Sequence, residues 1–162
     1  MLRDGAEWQT QGEFVKHSCD IEINAPRSRV VALFDNPANL VKWQPDLIKF
    51  EPISGTPGQP GAKSRLVYRA GKGELELIET ITLRNLPEEF SGTYESKMGV
   101  TRISNRFIDN GPTTRWIVDT EFTGSGIMRV LAGIMGGMMR AQTLKLLRAF
   151  KTFAESNTAG QL

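Results

Sequence analysis

The stretch Gly126–Ser156, GIMRVLAGIMGGMMRAQTLKLLRAFKTFAES, decides the fold, because it predicts one long helix with a single apolar face. With about 100° of rotation per residue, ten apolar side chains share that face: Ile127, Met128, Leu131, Ile134, Met135, Met138, Met139, Leu146, Phe150 and Phe153. The opposite side carries Arg129, Arg140, Arg148, Lys151 and Glu155. We therefore expect the apolar face to lie against the rest of the protein.

The first half of this helix has an unusual composition. Four of the six methionines lie between Gly126 and Arg140, together with Gly133, Gly136 and Gly137. Methionine side chains are flexible and fill irregular space, and a glycine inside a helix costs about 1 kcal/mol relative to alanine. These residues suit a helix that covers a ligand cavity. They also suit a core helix that uses glycine where a strand comes close, and both interpretations stay open here.

Length and composition predict one globular domain. The chain has 162 residues, of which 40% are hydrophobic and 23% charged, and its net charge of +2 is spread over interspersed acids and bases. That charge pattern argues against nucleic-acid binding. With Cys19 as the one cysteine, no internal disulfide is expected. We predict a cytoplasmic protein without stable membrane insertion, an N-terminal arm over 1–13, one domain over 14–156 and a flexible tail over 157–162.

Alternation of apolar and polar residues predicts an antiparallel sheet between the arm and the long helix. Strands are predicted at 15–23, 47–53, 64–70, 74–83, 90–98, 100–108 and 113–122. Two short helices, PRSRVVALFD (26–35) and NPANLVKW (36–43), interrupt the chain after the first strand. The links between the later strands are short, which favours antiparallel neighbours. The fold class is therefore α+β.

Matching the apolar faces of neighbouring strands predicts a polar strip on the inner side of the sheet. Glu79 sits between Leu77 and Ile81, and the predicted register puts Tyr94 opposite it. The same register puts Asn105 opposite Trp116, and on the outer side it puts Arg106 opposite Arg115. A carboxylate on an apolar face must be paired, solvated or protonated. Glu79 is therefore expected either to line a cavity or to pair structurally with Tyr94.

Candidate catalytic residues are few. Glu79, Tyr94 and His17 are the candidates, and none is assigned as a catalyst from the sequence. His17 and Cys19 lie two residues apart on one strand, about 6.6 Å, which is too far for a nucleophilic pair. A single histidine makes no two-histidine metal site, and nucleotide-binding motifs are absent from the sequence. No metal and no cofactor are expected.

Several segments together resemble one family. They are IEINAPRSRVVALFDNPANLVKWQP (Ile21–Pro45), PGAKSRLVY (60–68) and LIETITLRNLPEEFSGTYE (Leu77–Glu95), followed by the long C-terminal helix. The chain is similar to the START-like, or SRPBCC, superfamily in its polyketide cyclase/dehydrase-like branch. The resemblance implies the helix-grip fold, in which a curved seven-stranded antiparallel sheet wraps around a long C-terminal helix. Two short helices follow strand 1, and a cavity lies between sheet and helix.

The favoured hypothesis is a carrier or sensor that binds a small or medium hydrophobic ligand, such as a lipid, an isoprenoid or a polyketide-like compound, in that cavity. Its expected ligand-binding residues are Trp43, Tyr68, Glu79, Tyr94, Asn105, Trp116, Met135 and Met138. We expect the 126–140 half of the helix to cover the cavity mouth, facing Tyr94, Asn105 and Trp116.

Two alternatives stay open. One is an aldol cyclase or dehydratase with Glu79 as general base and Tyr94 or His17 as a donor to a carbonyl. The other is an interaction module that presents its basic helix face to a protein or a membrane surface. A non-catalytic protein is favoured over an enzyme, with a small hydrophobic molecule as partner, no nucleic acid, and weak homo-oligomerisation left open.

Overall fold

The computed structural model describes residues 14–158, so the predicted arm over 1–13 and the last four residues of the predicted tail lie outside the described residues. The strands are β1 (Phe14–Ile23), β2 (Leu47–Ser54), β3 (Lys63–Ala70), β4 (Gly73–Asn85), β5 (Glu89–Ser96), β6 (Gly99–Asp109) and β7 (Thr114–Gly124). The helices are α1 (Arg27–Phe34), α2 (Leu40–Trp43) and α3 (Met128–Thr158), with a 3-10 turn at Pro37–Asn39. Helix α3 thus continues two residues past the predicted domain end at 156.

The seven strands form one sheet in the order β1-β7-β6-β5-β4-β3-β2, and all neighbours are antiparallel. Pro26 precedes α1 with an extended backbone, and the Asn36 side chain accepts a 3.0 Å hydrogen bond from the Ala38 N–H to start the 3-10 turn. This arrangement confirms the predicted α+β class and the helix-grip architecture.

An aromatic cluster fixes the second half of α3. The Phe150 ring is fully buried and lies edge-on to Trp43 and Trp116, with 5.0 Å between ring centroids in both pairs. Phe34 and Phe107 complete the cluster, with their own centroids 5.1 Å apart. Edge-to-face rings at such distances add to the free energy gained from apolar burial. The cluster therefore joins α3, the short helices and the β6–β7 part of the sheet into one core.

The first half of α3 presents a different face from the predicted one. Ala132 is buried against Val15 and Phe122, whereas Ile134 and Met138 of the predicted inner face are 81% and 63% exposed. The prediction followed the largest apolar side chains. The structure instead buries small residues, which let the helix backbone come close to β1 and β7. The large apolar side chains of this half of α3, such as Ile134 and Met138, therefore form an exposed apolar surface.

The β6–β7 register also differs from the predicted one, by two residues. Arg106 forms a 2.6 Å ion pair with Asp119 and does not face Arg115, which instead pairs with Asp20 at 2.9 Å. The turn closes with a 3.0 Å bond from Asn110 N–H to Thr113 C=O, so Pro112 lies in the turn. Proline has no N–H to give to a strand ladder, and this register keeps it out of the ladder while replacing a like-charge contact with two opposite-charge pairs.

Replacing Phe150 with alanine should cost about 3–5 kcal/mol of unfolding free energy, because it opens a cavity in the centre of the aromatic cluster. Urea unfolding followed by circular dichroism measures the loss. Phe14→Ala is the matched control, since Phe14 is 38% exposed and should lose far less. Equal losses for the two variants would contradict the assignment of Phe150 as the core residue that holds α3.

Candidate functional site

Helix α3 covers the β1–β7 half of the concave face of the sheet more fully than the other half. Helix α3 packs most extensively on β1 and β7, and the inward side chains of β7 are buried: Thr114, Trp116, Val118, Thr120 and Phe122. On β4, by contrast, the inward residues Leu75, Leu77 and Glu79 remain half-buried. The concave surface of β3–β5 therefore keeps contact with solvent. We take this half of the concave face as the candidate site.

Glu79 and Tyr94 form the polar centre of the candidate site. They are opposite each other on β4 and β5, as predicted, and the Tyr94 hydroxyl donates a 2.7 Å hydrogen bond to Glu79 Oε2. Burial raises the pKa of the Glu79 carboxyl, and the hydrogen bond from Tyr94 opposes that shift. Burial and the neighbouring carboxylate hold the pKa of Tyr94 well above its usual value. The pair is thus a carboxyl that is costly to ionise, bonded to a hydroxyl that keeps its proton.

Tyr68 and Gln44 add a second polar pair. The Tyr68 hydroxyl donates a 2.7 Å hydrogen bond to Gln44 Oε1, and Gln44 is buried at the end of α2. Burial raises the pKa of Tyr68, and the charge on Glu79 raises it further, so these groups share one electrostatic environment. Tyr68 was predicted from the sequence but Gln44 was not. Its position directly after Trp43 and before a proline gives only a weak signal.

Trp43, Trp116 and Asn105 belong to the core. Trp43 and Trp116 are 4% and 1% exposed inside the aromatic cluster, which leaves them little surface for a ligand. Asn105 lies opposite Val118 and not opposite Trp116; its side-chain oxygen accepts a 3.1 Å bond from the Trp116 indole N–H, and its amide donates to Phe90 C=O. The predicted strip is therefore divided, because Asn105 satisfies the core and Glu79 with Tyr94 stands apart.

His17 is not brought together with Glu79. It lies on β1, four strands from β4 in the sheet order, and its Nε2 is 2.9 Å from Thr143 Oγ1 on α3. Burial, followed by the positive charge of Arg140, lowers the pKa of His17. Its Nδ1 has no hydrogen-bond partner among the described residues. His17 thus lies at the covered half of the sheet, where burial disfavours its charged form.

The methionines predicted as ligand contacts occupy two environments. Met135 is half-buried, whereas Met138 points largely into solvent. Their helix packs mainly on β1 and β7 and not on β3–β5, so neither methionine is placed at the candidate site.

The outer face of the sheet has a polar depression of about 640 Å³. Its outward side chains are charged or hydroxylic, and Glu121 lies 3.0 Å from Lys16 Nζ and 3.5 Å from Arg102. The charged side chains of this depression already pair with one another, so a ligand there would have to compete with those ion pairs.

The family of the chain can now be stated. The model of the family described as polyketide cyclase/dehydrase and lipid transport matches residues 15–152. The chain belongs to this family. None of the curated proteins matches the sequence.

Solved structures of several other proteins share this fold. An aromatase/cyclase from Streptomyces sp. has a TM-score of 0.74 at 12% identity, over 90% of this chain and 96% of its own. A START superfamily protein from Mycobacterium smegmatis has a TM-score of 0.72 at 13% identity, over 87% and 97%. Norcoclaurine synthase from Thalictrum flavum, solved with dopamine and hydroxybenzaldehyde, has a TM-score of 0.67 at 13% identity, over 86% of both chains. At these identities the likeness concerns the fold alone.

Two further properties bear on what this family member could hold. Within residues 14–158, no group of three or more histidine, cysteine or acidic side chains is placed to bind a metal ion. Across the same residues, none of the helices has the length and hydropathy to cross a membrane.

The raised pKa of Glu79 predicts a pH-dependent stability. Its protonated form favours folding, so this contribution is complete below the unfolded pKa and is lost as the pH rises through the folded one. Glu79→Gln has no proton to lose at this position. The melting temperature of Glu79→Gln minus that of the wild type should therefore increase as the pH rises from about 4 to about 8. Thermal unfolding at a series of pH values measures the difference. The exposed Glu95, changed to Gln, is the control, and a constant difference between Glu79→Gln and the wild type would contradict the assignment.

Proposed function

We propose that the protein binds a hydrophobic ligand against the β3–β5 half of the concave face, with the polar end of the ligand at Glu79 and Tyr94. The observation that carries the proposal is a carboxyl with a raised pKa between Leu77 and Ile81, on a surface that solvent still reaches. Apolar walls with a few oriented polar groups are typical of small-molecule sites. The family description, which includes lipid transport, supports the same function.

The hydrogen bonds in the site favour one class of polar end. The Tyr94 hydroxyl already donates to Glu79, so the pair offers lone pairs to a ligand and no further proton from Tyr94. A ligand hydroxyl can donate to Glu79. A ligand carboxylate beside Glu79 would make ionisation of that already costly carboxyl still less favourable, because two negative charges would lie together. We therefore propose an alcohol or a phenol, such as an isoprenoid alcohol or a hydroxylated polyketide-like compound.

Farnesol and farnesoic acid share one apolar chain and differ in the polar end, so they test this choice directly. At pH 8 we expect farnesol to bind about tenfold or more tightly than farnesoic acid, because the acid is then ionised. Displacement of a fluorescent fatty-acid probe measures both affinities, and thermal shift confirms them.

Glu79→Gln should reduce this preference, because its amide N–H can donate to the carboxylate of farnesoic acid. Glu95→Gln should leave the preference unchanged, since Glu95 is exposed beside the same hairpin. Equal affinities of the wild type for the two compounds, or an unchanged preference in Glu79→Gln, would contradict the proposed role of Glu79. A failure of both compounds to bind would contradict the proposed ligand class.

A second proposal is an aldol cyclase, which the raised pKa of Glu79 specifically favours. Glu79 would take a proton from the carbon next to a carbonyl, the enolate would form a carbon–carbon bond with a second carbonyl, and the resulting alkoxide would take up a proton. Tyr94 would orient the base through its hydrogen bond, whereas His17 is too distant to take part.

Cyclisation of a β-keto thioester, followed by mass spectrometry, tests the enzymatic proposal. Glu79→Gln should lower the rate by about a hundredfold or more, and Glu95→Gln should not change it. Turnover that survives Glu79→Gln would eliminate this proposal and leave the binding function untouched.

A further inference from the structure

The first half of α3 carries an exposed apolar surface outside the candidate site. We define the α3 apolar surface as Ile127, Val130, Leu131, Ile134 and Met138, which are 74%, 78%, 37%, 81% and 63% exposed. Ile127 directly precedes α3, the other four lie on its first three turns, and the exposed Gly133 and Gly137 lie among them. Large exposed apolar surfaces of this kind often mark an interaction site.

A basic region continues this surface along the helix. With about 100° per residue, Lys145 and Arg148 fall in the same arc as Ile127 and Val130, about two to three turns beyond Met138, and both are exposed. The chain has five lysines and arginines and no acidic residue between Glu121 and Glu155. An apolar region followed by cations, without acids between them, requires an apolar and anionic partner.

The β5–β6 turn lies beside the start of α3 and adds exposed side chains next to the α3 apolar surface. Ser125 N–H donates a 2.9 Å bond to Met98 C=O, and Ser125 Oγ donates a 2.9 Å bond to Lys97 C=O. These bonds hold the β5–β6 turn against the first turn of α3. Met98 is 37% exposed and Lys97 is exposed, so the turn supplies one more apolar and one more basic side chain.

A second copy of the chain fits the charges poorly. Two α3 helices packed antiparallel through this surface would bring the Lys145 and Arg148 end of each helix toward the Arg129 end of the other. Lys145 and Arg148 of each copy would then lie against a helix that carries no acidic residue before Glu155. An anionic bilayer surface satisfies both parts, since apolar side chains enter the boundary of the acyl chains and basic ones meet the phosphates.

We propose that the α3 apolar surface docks this protein on anionic lipid membranes, with Lys145 and Arg148 against the headgroups. The surface faces away from the core contacts of Ala132, and none of its five residues belongs to the proposed ligand site. Docking through one exposed helix face is peripheral and reversible, and it weakens as salt screens the basic residues.

Vesicle flotation tests the proposal with phosphatidylcholine alone and with an equal mixture of phosphatidylcholine and phosphatidylglycerol, at low and high salt. The protein should float with the mixed vesicles at low salt and much less with phosphatidylcholine alone. Val130→Gln with Ile134→Gln should lower binding about tenfold or more, because two apolar side chains are lost from the contact. Val41→Gln with Ile53→Gln removes exposed apolar residues elsewhere and should keep wild-type binding. Lys145→Gln with Arg148→Gln should lower binding about tenfold and reduce its salt dependence.

Several results would overturn the proposal. They are no binding to the anionic vesicles, equal binding to both kinds of vesicle, or unchanged binding after Val130→Gln with Ile134→Gln. Light scattering that finds a dimer dispersed by the same double substitution, without vesicle binding, would reassign the surface to self-association. All these variants alter exposed side chains, and an unchanged melting temperature confirms that each one is folded.

Discussion

The edge-on contact of Phe150 with Trp43 and Trp116 is the interaction on which the remaining structure depends. It joins α3 to α2 and to β7, and so decides which part of the sheet the helix covers. Because the contact lies toward the C-terminal end of α3, the second half of the helix is held by large rings. The first half is held by smaller groups such as Ala132, and β3–β5 stay open. The position of Phe150 thus explains both why α3 covers one half of the sheet and why solvent reaches the other half.

This division explains how a carboxyl can lie on an apolar face. Under the aromatic cluster an ionisable group would be fully desolvated. The polar groups there are neutral: the Trp116 indole N–H donates to the Asn105 amide oxygen, and the Trp43 indole N–H has no hydrogen-bond partner among the described residues. On the open half, Glu79 keeps some contact with solvent and a hydrogen bond from Tyr94. Its pKa is therefore raised without making its presence prohibitive. The open half of the sheet can therefore hold an ionisable carboxyl, which the covered half could not.

Much of the fold could be predicted from the sequence, because strict alternation and short links constrain strands strongly. Each predicted strand matches an observed one to within about two residues, and the pairing of Glu79 with Tyr94 is confirmed. The β6–β7 register was wrong, because the turn residues around Gly111 allow closure at two positions. The position of Pro112 and the ion pairs of Arg106 and Arg115 separate the two. The inner face of α3 was wrong near Ile134, because hydrophobicity does not report which small residue approaches a strand most closely.

Site residues could be predicted from the sequence only where a polar residue interrupts an apolar strand face. Glu79 stands out on an apolar face, whereas Trp43 suits a core and a pocket equally well, and only packing decides between them. The same limit applies to function. Solved structures with this fold include an aromatase/cyclase and norcoclaurine synthase at 12–13% identity. The backbone that these proteins share therefore cannot set the reaction. The polar groups on the open half of the sheet distinguish this chain. Because Glu79 already accepts a hydrogen bond from Tyr94, the pair favours a ligand whose polar end donates a hydrogen bond.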